Sequence, residues 1–176
     1  NNSGVSAAGY VYINTGTGLD IVNFGAAQGV YNLDYSDLTD GIFVDIEFQV
    51  IDKGLDGTDS FLFDSGVDFG DIRSQISGSA GDDFYVGTGL HDAFINFEGG
   101  AGNDYILSAE RISYTSAEAG VTVDMSAGTA SDGLGGTDSF FDVLQVGGSD
   151  FADNLTGSNG DDTFFGRGGN DTIVGG

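Results

Sequence analysis

The C-terminal part of the chain, residues 148–176, repeats one nine-residue pattern in three consecutive units. Each unit has Gly in the first place, Asp in the sixth and an apolar residue in the eighth: GSDFADNLT, GSNGDDTFF and GRGGNDTIV. Because Gly permits positive φ and a close approach of backbones, the first six residues predict a tight turn. The last three predict a short strand, in which the middle side chain points inward and its neighbours point outward.

The Asp in the sixth place indicates a metal site. When such units stack, one Asp lies above the next with no basic residue between them, and this arrangement favours a hard cation. Calcium takes six to eight oxygen ligands from carboxylates, backbone carbonyls and water, and it tolerates variable geometry. Magnesium fits less well, because it requires strict octahedral coordination and retains its waters. The spacing of acidic residues that defines an EF-hand loop does not occur in the sequence.

These units resemble the nonapeptides GGxGxDxUx of the RTX (repeats-in-toxin) proteins, a calcium-binding repeat family. The resemblance implies an all-β fold, a right-handed parallel β-roll or β-helix solenoid with two nonapeptides per turn. It implies that several calcium ions lie between stacked loops, with every second row paired, so that Asp153 lies beside Asp171. It also implies a secreted, extracellular protein on the cell surface of a Gram-negative bacterium, exported by a type I pathway.

A longer repeat is superimposed on the nonapeptides. Tyr35 corresponds to Tyr114 at an offset of 79 residues (114 minus 35), and about a third of the positions compared at this offset are identical. The clearest match is GLDGTDSF at 54–61 with GLGGTDSF at 133–140. We therefore divide one continuous solenoid into lead-in turns at 1–34, a first long repeat at 35–113 and a second at 114–176. The nonapeptide blocks occupy 69–107 and 148–176, and the truncated second block predicts that the chain is a segment of a longer protein.

The candidate calcium ligands are the Asp residues of these rows. The second block offers Asp153, Asp162 and Asp171, and the first offers Asp83, Asp92 and Asp104. The remaining candidates are Asp20, in the lead-in row TGTGLDIVN, together with Asp59 and Asp138, which are either ligands or turn formers. The row FGDIRSQIS at 69–77 aligns with GSDFADNLT but has Ser74 where the second block has Asp153.

Charge and motif content limit the functions that the chain can have. The formal net charge is −24, from 28 acidic and four basic residues, so nucleic acid and anionic membranes are poor partners and cations are good ones. No apolar run is long enough for membrane insertion. The sequence has no Cys, no zinc-protease or serine-hydrolase motif and no phosphate-binding loop, so we expect no enzymatic activity.

Residues in the eighth place are predicted to form the core. They are Tyr85, Phe94, Ile106, Leu155, Phe164 and Ile173. In the first block the seventh and ninth places are also mostly apolar, with Phe84, Val86, Ile95, Tyr105 and Leu107, which predicts an outward apolar stripe. Its cover is either the spacer folded back over it or a wider, two-layered roll, or else another subunit or another part of a large surface protein.

The sequence thus predicts a calcium-dependent folding segment of a secreted bacterial surface protein. Its charge keeps the chain extended where calcium is scarce, and it folds outside the cell. A structural role in a surface layer, filament or adhesin is favoured by the long repeat and the apolar stripe. The alternative is the secretion and folding module of an exported hydrolase or toxin whose catalytic part lies elsewhere. Carbohydrate binding through exposed Tyr and Asp is a third class, with no motif to support it.

Overall fold

The structure is a computed structural model that describes residues 10–25, 30–63, 73–88 and 94–176. The regular secondary structure of these residues is almost entirely β, with eighteen strands and a single 3-10 turn at Gly54–Asp56. No helix in the described part is long and apolar enough to cross a membrane. The all-β prediction is confirmed. The strands are β1 Tyr10–Ile13, β2 Ile21–Gly25, β3 Val30–Asp34, β4 Phe43–Asp45, β5 Val50–Asp52, β6 Thr58–Phe63, β7 Arg73–Ser77, β8 Phe84–Val86, β9 Phe94–Glu98, β10 Tyr105–Leu107, β11 Arg111–Ser113, β12 Thr122–Asp124, β13 Thr129–Ser131, β14 Thr137–Phe141, β15 Gln145–Gly147, β16 Asn154–Thr156, β17 Thr163–Phe165 and β18 Thr172–Val174.

The described strands form two sheets. Sheet A has the order β1-β3-β7-β9-β11-β15-β17, and sheet B has the order β18-β16-β12-β13-β14-β10-β8-β4-β5-β6-β2. Strands of successive nonapeptide rows alternate between the sheets, so neighbours within a sheet come from every second row and run parallel. Leu155 on β16, for example, lies beside Ile173 on β18. This parallel arrangement fits the β-roll that the resemblance to the RTX repeats implies.

Each long repeat also contributes an antiparallel meander to sheet B. Strands β4, β5 and β6 form the first meander, and β12, β13 and β14 form the second. The outer strands of each meander pair in parallel with strands of nonapeptide rows: β6 with β2 and β14 with β10 at one side, β4 with β8 and β12 with β16 at the other. The described strands of the spacer therefore extend the roll and do not fold over its outer face.

The core follows the eighth-place rule in only some of the rows. Tyr85, Ile106 and Leu155 are buried at 2%, 2% and 1% exposure. Phe164 is half-buried, and Ile173 is exposed because β18 ends sheet B.

The prediction for the row at 87–95 is wrong in its register. Ile95 is buried and Phe94 is only half-buried, although the nine-residue count predicts the reverse. The cause is the insertion Asn96-Phe97-Glu98, which lengthens β9 to five residues. Phe97, fully buried, then becomes a second inward side chain and stacks on Tyr85 with ring centroids 4.6 Å apart.

After the first meander, the residues that occupy equivalent places in the two long repeats differ from the pairs that the constant offset of 79 residues aligns. Asp83 accepts the backbone N–H of Ile42, and Asp153 accepts that of Val121, its counterpart in the second meander. Asp83 is therefore the spatial equivalent of Asp153, whereas Ser74 lies in β7 of sheet A. Because adjacent rows resemble one another, an alignment without gaps slides by one nine-residue row after the first meander.

Candidate metal centre

The sixth-place Asp side chains join neighbouring rows through backbone hydrogen bonds. Asp104 Oδ1 accepts the N–H of Asp83 at 2.9 Å, and Asp138 Oδ1 accepts the N–H of Asp104 at 3.1 Å. The same bond joins Asp59 to the N–H of Asp20 at 3.2 Å, and Asp171 to the N–H of Asp153 at 3.1 Å. One oxygen of each of these carboxylates therefore fixes the register of two rows, whatever the second oxygen does.

The residue in the second place of the row decides what happens to the second oxygen. Where that residue is Ser, its backbone N–H and its hydroxyl both donate to the Asp of the same row. Asp83, Asp153 and Asp162 are held in this way by Ser79, Ser149 and Ser158. In these rows both carboxylate oxygens have protein partners.

Where the residue in the second place is Gly, the second carboxylate oxygen of the Asp in that row has no hydrogen-bond partner among the described residues. Asp104 lies in a row with Gly100 in this place, and its Oδ2 atom is buried with no hydrogen-bond partner among the described residues. Asp20 lies in a row with Gly16 there, and its Oδ2 is likewise buried without a hydrogen bond. An unpaired buried carboxylate oxygen is costly, so both positions favour a cation.

The Asp104 row and the second meander form one acidic junction. Asp104, Asp132 and Asp138 are all at most 2% exposed, and the carboxylates of Asp132 and Asp138 both raise the pKa of Asp104. Burial is the main cause and takes that pKa to about 8. Asp132 Oδ1 accepts three backbone N–H groups from residues 134–136, while its Oδ2 has no partner in the described part of the chain.

The corresponding junction in the first long repeat contains a basic residue. Lys53 is 1% exposed, and its Nζ atom lies 2.8 Å from Asp59 Oδ1 and 3.9 Å from Asp20 Oδ2. It also donates to the carbonyl oxygen of Gly16 at 2.8 Å. The other oxygen of Asp59 accepts the hydroxyls of Thr15 at 2.6 Å and Tyr35 at 3.0 Å.

Sequence reasoning missed Lys53 and Asp132. Both precede the shared GTDS turn, and the offset of 79 residues aligns them (132 minus 53). A charge reversal at one position of two otherwise similar segments was the signal that could have identified them.

The predicted ligand residues are distributed along the roll and do not form one cluster. Asp83, Asp104 and Asp138 lie in rows that are neighbours within sheet B, as do Asp153 and Asp171, and Asp20 pairs with Asp59. Asp162 directly precedes β17, the last strand of sheet A, and Asp92 lies outside the described residues. Among those described, no group of three or more His, Cys, Asp or Glu side chains is arranged to hold a metal ion. Ions between rows would therefore also need the backbone carbonyls of the Gly-rich turns.

The family comparison agrees with this geometry. The RTX calcium-binding nonapeptide repeat matches in four copies, over residues 73–93, 96–109 and 147–176. No curated protein matches the chain. The parallel roll and the matched rows define a calcium-binding repeat protein. The chain therefore carries four copies of the RTX calcium-binding nonapeptide repeat, and proteins with this repeat are typically secreted.

The matched segments include the rows of Asp83, Asp104, Asp153, Asp162 and Asp171. The rows of Asp20, Asp59 and Asp138 lie outside them. Asp59 and Asp138 nevertheless accept the backbone N–H of Asp20 and Asp104 in the same way as matched Asp residues do, so the meanders continue the roll with sequences that the family pattern does not cover.

Proposed function

We propose that the chain is a calcium-dependent folding segment with a structural role in a secreted bacterial surface protein. The observation that carries the proposal is the set of buried carboxylates between rows of the roll. Asp83, Asp104 and Asp138 follow one another there, and burial raises the pKa of each, to about 6, 8 and 6 respectively. Without a bound cation, folding must desolvate these groups, and calcium offsets that cost.

The net charge of −24 strengthens the dependence on calcium, because like charges oppose compaction of the chain. Extracellular calcium modules have dissociation constants of about 10⁻⁴–10⁻³ M. A site whose ligand is present at 100 times its dissociation constant adds about 2.7 kcal/mol to the free energy of unfolding. A few such sites contribute about as much as the whole stability of an ordinary domain, 5–15 kcal/mol.

The proposed structural role is supported by an exposed aromatic ladder on sheet B. Phe43, Phe84 and Tyr105 are 40%, 37% and 44% exposed. Their rings follow one another at centroid distances of 5.5 and 5.2 Å. Such a row of exposed rings suits contact with another copy of the chain or with a neighbouring segment of a larger surface protein.

The test of calcium-dependent folding is a far-UV circular dichroism titration of the isolated chain with calcium, then chelator, with magnesium in parallel. The expected result is a disordered spectrum that becomes β near millimolar calcium, reverses with chelator and does not respond to millimolar magnesium. A β spectrum that survives exhaustive chelation contradicts the folding switch.

The structural role is tested on the calcium-loaded chain by static light scattering. The expected mass grows with protein concentration, and Phe84→Ser together with Tyr105→Ser abolishes that growth while the β spectrum is retained. A monomer at every concentration argues against self-association and leaves the calcium switch intact.

A further inference from the structure

The two long repeats place opposite charges at one buried position. Lys53 and Asp132 correspond at the long offset, and each is 1% exposed. Each lies shortly before the strand that pairs in parallel with a nonapeptide strand, β6 with β2 and β14 with β10. The two residues thus occupy equivalent junctions, and the difference between them is chemical.

In the first repeat, the ammonium group of Lys53 contacts the oxygens that a metal ion would use. It reaches a carbonyl of the Gly-rich turn, at Gly16, and the sixth-place carboxylates of both rows, Asp20 and Asp59. Backbone carbonyls and carboxylates from adjoining turns are also the ligand types that calcium prefers. Lys53 is covalently attached, so its charge is present at every calcium concentration.

In the second repeat, the equivalent junction also has two sixth-place carboxylates, but Asp132 stands where the first repeat has Lys53. Asp104 and Asp138 correspond to Asp20 and Asp59, as their hydrogen bonds between rows show. The Oδ2 atoms of Asp104 and Asp132 are buried and have no hydrogen-bond partner in the described part of the structure.

The backbone of this second junction is also packed closely. An ideal Cβ on Gly136 would lie 1.7 Å from the carbonyl oxygen of Gly102 and 2.7 Å from Asp132 Oδ2. The carbonyl of the neighbouring row and the unpartnered carboxylate oxygen therefore face the same small region. Three buried acids with two unpartnered oxygens are costly unless protons or a cation neutralise them, and one divalent ion compensates two of the charges at once.

We propose that a divalent cation binds between these rows to the carboxylates of Asp104, Asp132 and Asp138 together with backbone carbonyls such as that of Gly102, and that Lys53 replaces this ion in the first long repeat. The junction of β2 with β6 then carries its own cation, whereas the junction of β10 with β14 requires the ion. The identity of the ion as calcium rests on the proposed function, but the role of Lys53 does not.

Two backbone hydrogen bonds provide matched reporters for the two junctions. The N–H of Ser60 donates to the carbonyl of Asp20 at 2.9 Å, and the N–H of Ser139 donates to the carbonyl of Asp104 at 2.8 Å. At a limiting calcium concentration, just high enough to retain the β spectrum, hydrogen exchange at Ser139 is expected to be at least tenfold faster than at Ser60, and saturating calcium is expected to slow it to a similar rate. Equal rates at the limiting calcium concentration overturn the proposal.

Substitutions of Asp132 test whether its carboxylate binds the ion. Asp132→Asn is expected to lower the number of bound calcium ions by one, counted by equilibrium dialysis on the full chain, with the β spectrum in calcium retained. Asp132→Lys is expected to remove the same ion and also to slow exchange at Ser139 at least tenfold at the limiting calcium concentration. An unchanged ion count in Asp132→Asn overturns the metal site, even if Asp132→Lys does not fold.

The reciprocal variant tests Lys53 without reference to the nonapeptide sites. Lys53→Met is expected to accelerate exchange at Ser60 at least tenfold at the limiting calcium concentration, because Asp20 and Asp59 lose their internal cation. No acceleration overturns the role of Lys53. If the wild-type chain binds no calcium under any condition, the proposed function fails, and this variant still decides whether the ammonium group stabilises the first junction.

Discussion

Ser149 is the most informative side chain for the stability of the turns. Its hydroxyl is completely buried, donates to Asp153 Oδ1 at 2.6 Å and accepts the N–H of Phe151 at 3.0 Å. In Ser149→Ala the backbone N–H still bonds Asp153 Oδ2, so the substitution removes the hydroxyl interactions alone. A hydrogen bond to a charged acceptor contributes about 1.5–3 kcal/mol, and we expect the free energy of unfolding to fall by about 2–3 kcal/mol.

For a chain of this length, each kcal/mol lowers Tm by about 2–4 °C, so the expected loss for Ser149→Ala is about 4–12 °C. The assay is thermal unfolding in saturating calcium, followed by circular dichroism. The matched control is Ser158→Ala, which removes a longer bond of 3.0 Å to the half-buried Asp162. Its expected loss is about 1 kcal/mol or less, because water can replace that bond. Equal effects of the two substitutions, or a loss below about 0.5 kcal/mol for Ser149→Ala, would refute the reasoning.

Three further substitutions or conditions test other parts of the structure. Gln49→Gly is expected to raise the free energy of unfolding by about 1 kcal/mol in denaturant titrations. Gln49 has φ 58°, a left-handed conformation that Gly adopts more easily, and the equivalent turn of the second repeat has Gly. A decrease would contradict the strain at Gln49. Gly136→Ala is expected to lower the free energy of unfolding by about 3 kcal/mol or more, since the new Cβ would lie 1.7 Å from the Gly102 carbonyl oxygen. Gly175→Ala is expected to be neutral, because the space around Gly175 is open. Similar effects of both substitutions would refute the close packing. Burial raises the pKa of Asp104 to about 8 in the fold, against an ordinary value of 3.8, so the folded form binds protons more readily than the unfolded form. In chelator, the β signal is therefore expected to increase as pH falls from about 8 towards about 4. A signal that decreases over this range would contradict the uncompensated burial of this carboxyl group.

The parallel roll was implied by the resemblance of the nine-residue units to the RTX repeats. The nine-residue pattern itself predicted a six-residue turn followed by a three-residue strand with one inward side chain. The eighth-place residues Tyr85, Ile106 and Leu155 are buried for this reason. The predicted pairing of Asp153 with Asp171 is also found, because two rows make one turn and neighbours in a sheet are eighteen residues apart (172 minus 154).

What the pattern could not predict are the effects of insertions and of single substitutions within it. Asn96-Phe97-Glu98 adds an odd number of residues and changes which side of β9 faces the core. Glu98 is then buried at 5% exposure, and its carboxylate accepts the hydroxyl of Thr115 and the N–H of Ser116, contacts with the second spacer that no local pattern encodes.

The junctions between rows were predicted only in part. The Asp residues in the sixth place are where the nonapeptide pattern puts them, but the pattern does not reveal that Ser in the second place satisfies the carboxylate and Gly leaves it unpaired. Nor does it include Lys53 and Asp132, which precede the first place of their rows. Their importance depends on which rows become neighbours, and that is decided by the meanders.

The most direct test of calcium-driven folding is the radius of gyration of the chain, measured by small-angle X-ray scattering in millimolar calcium and in chelator. For 176 residues, a compact fold has a radius of gyration of about 16 Å and an unfolded chain about 44 Å, so an elongated roll should remain below about 20 Å. We predict the smaller value in calcium and a value near the larger one in chelator, reversible on readdition of calcium. A chain that stays below about 20 Å after exhaustive chelation would contradict the account, because its carboxylates would then be tolerated in the fold without an ion.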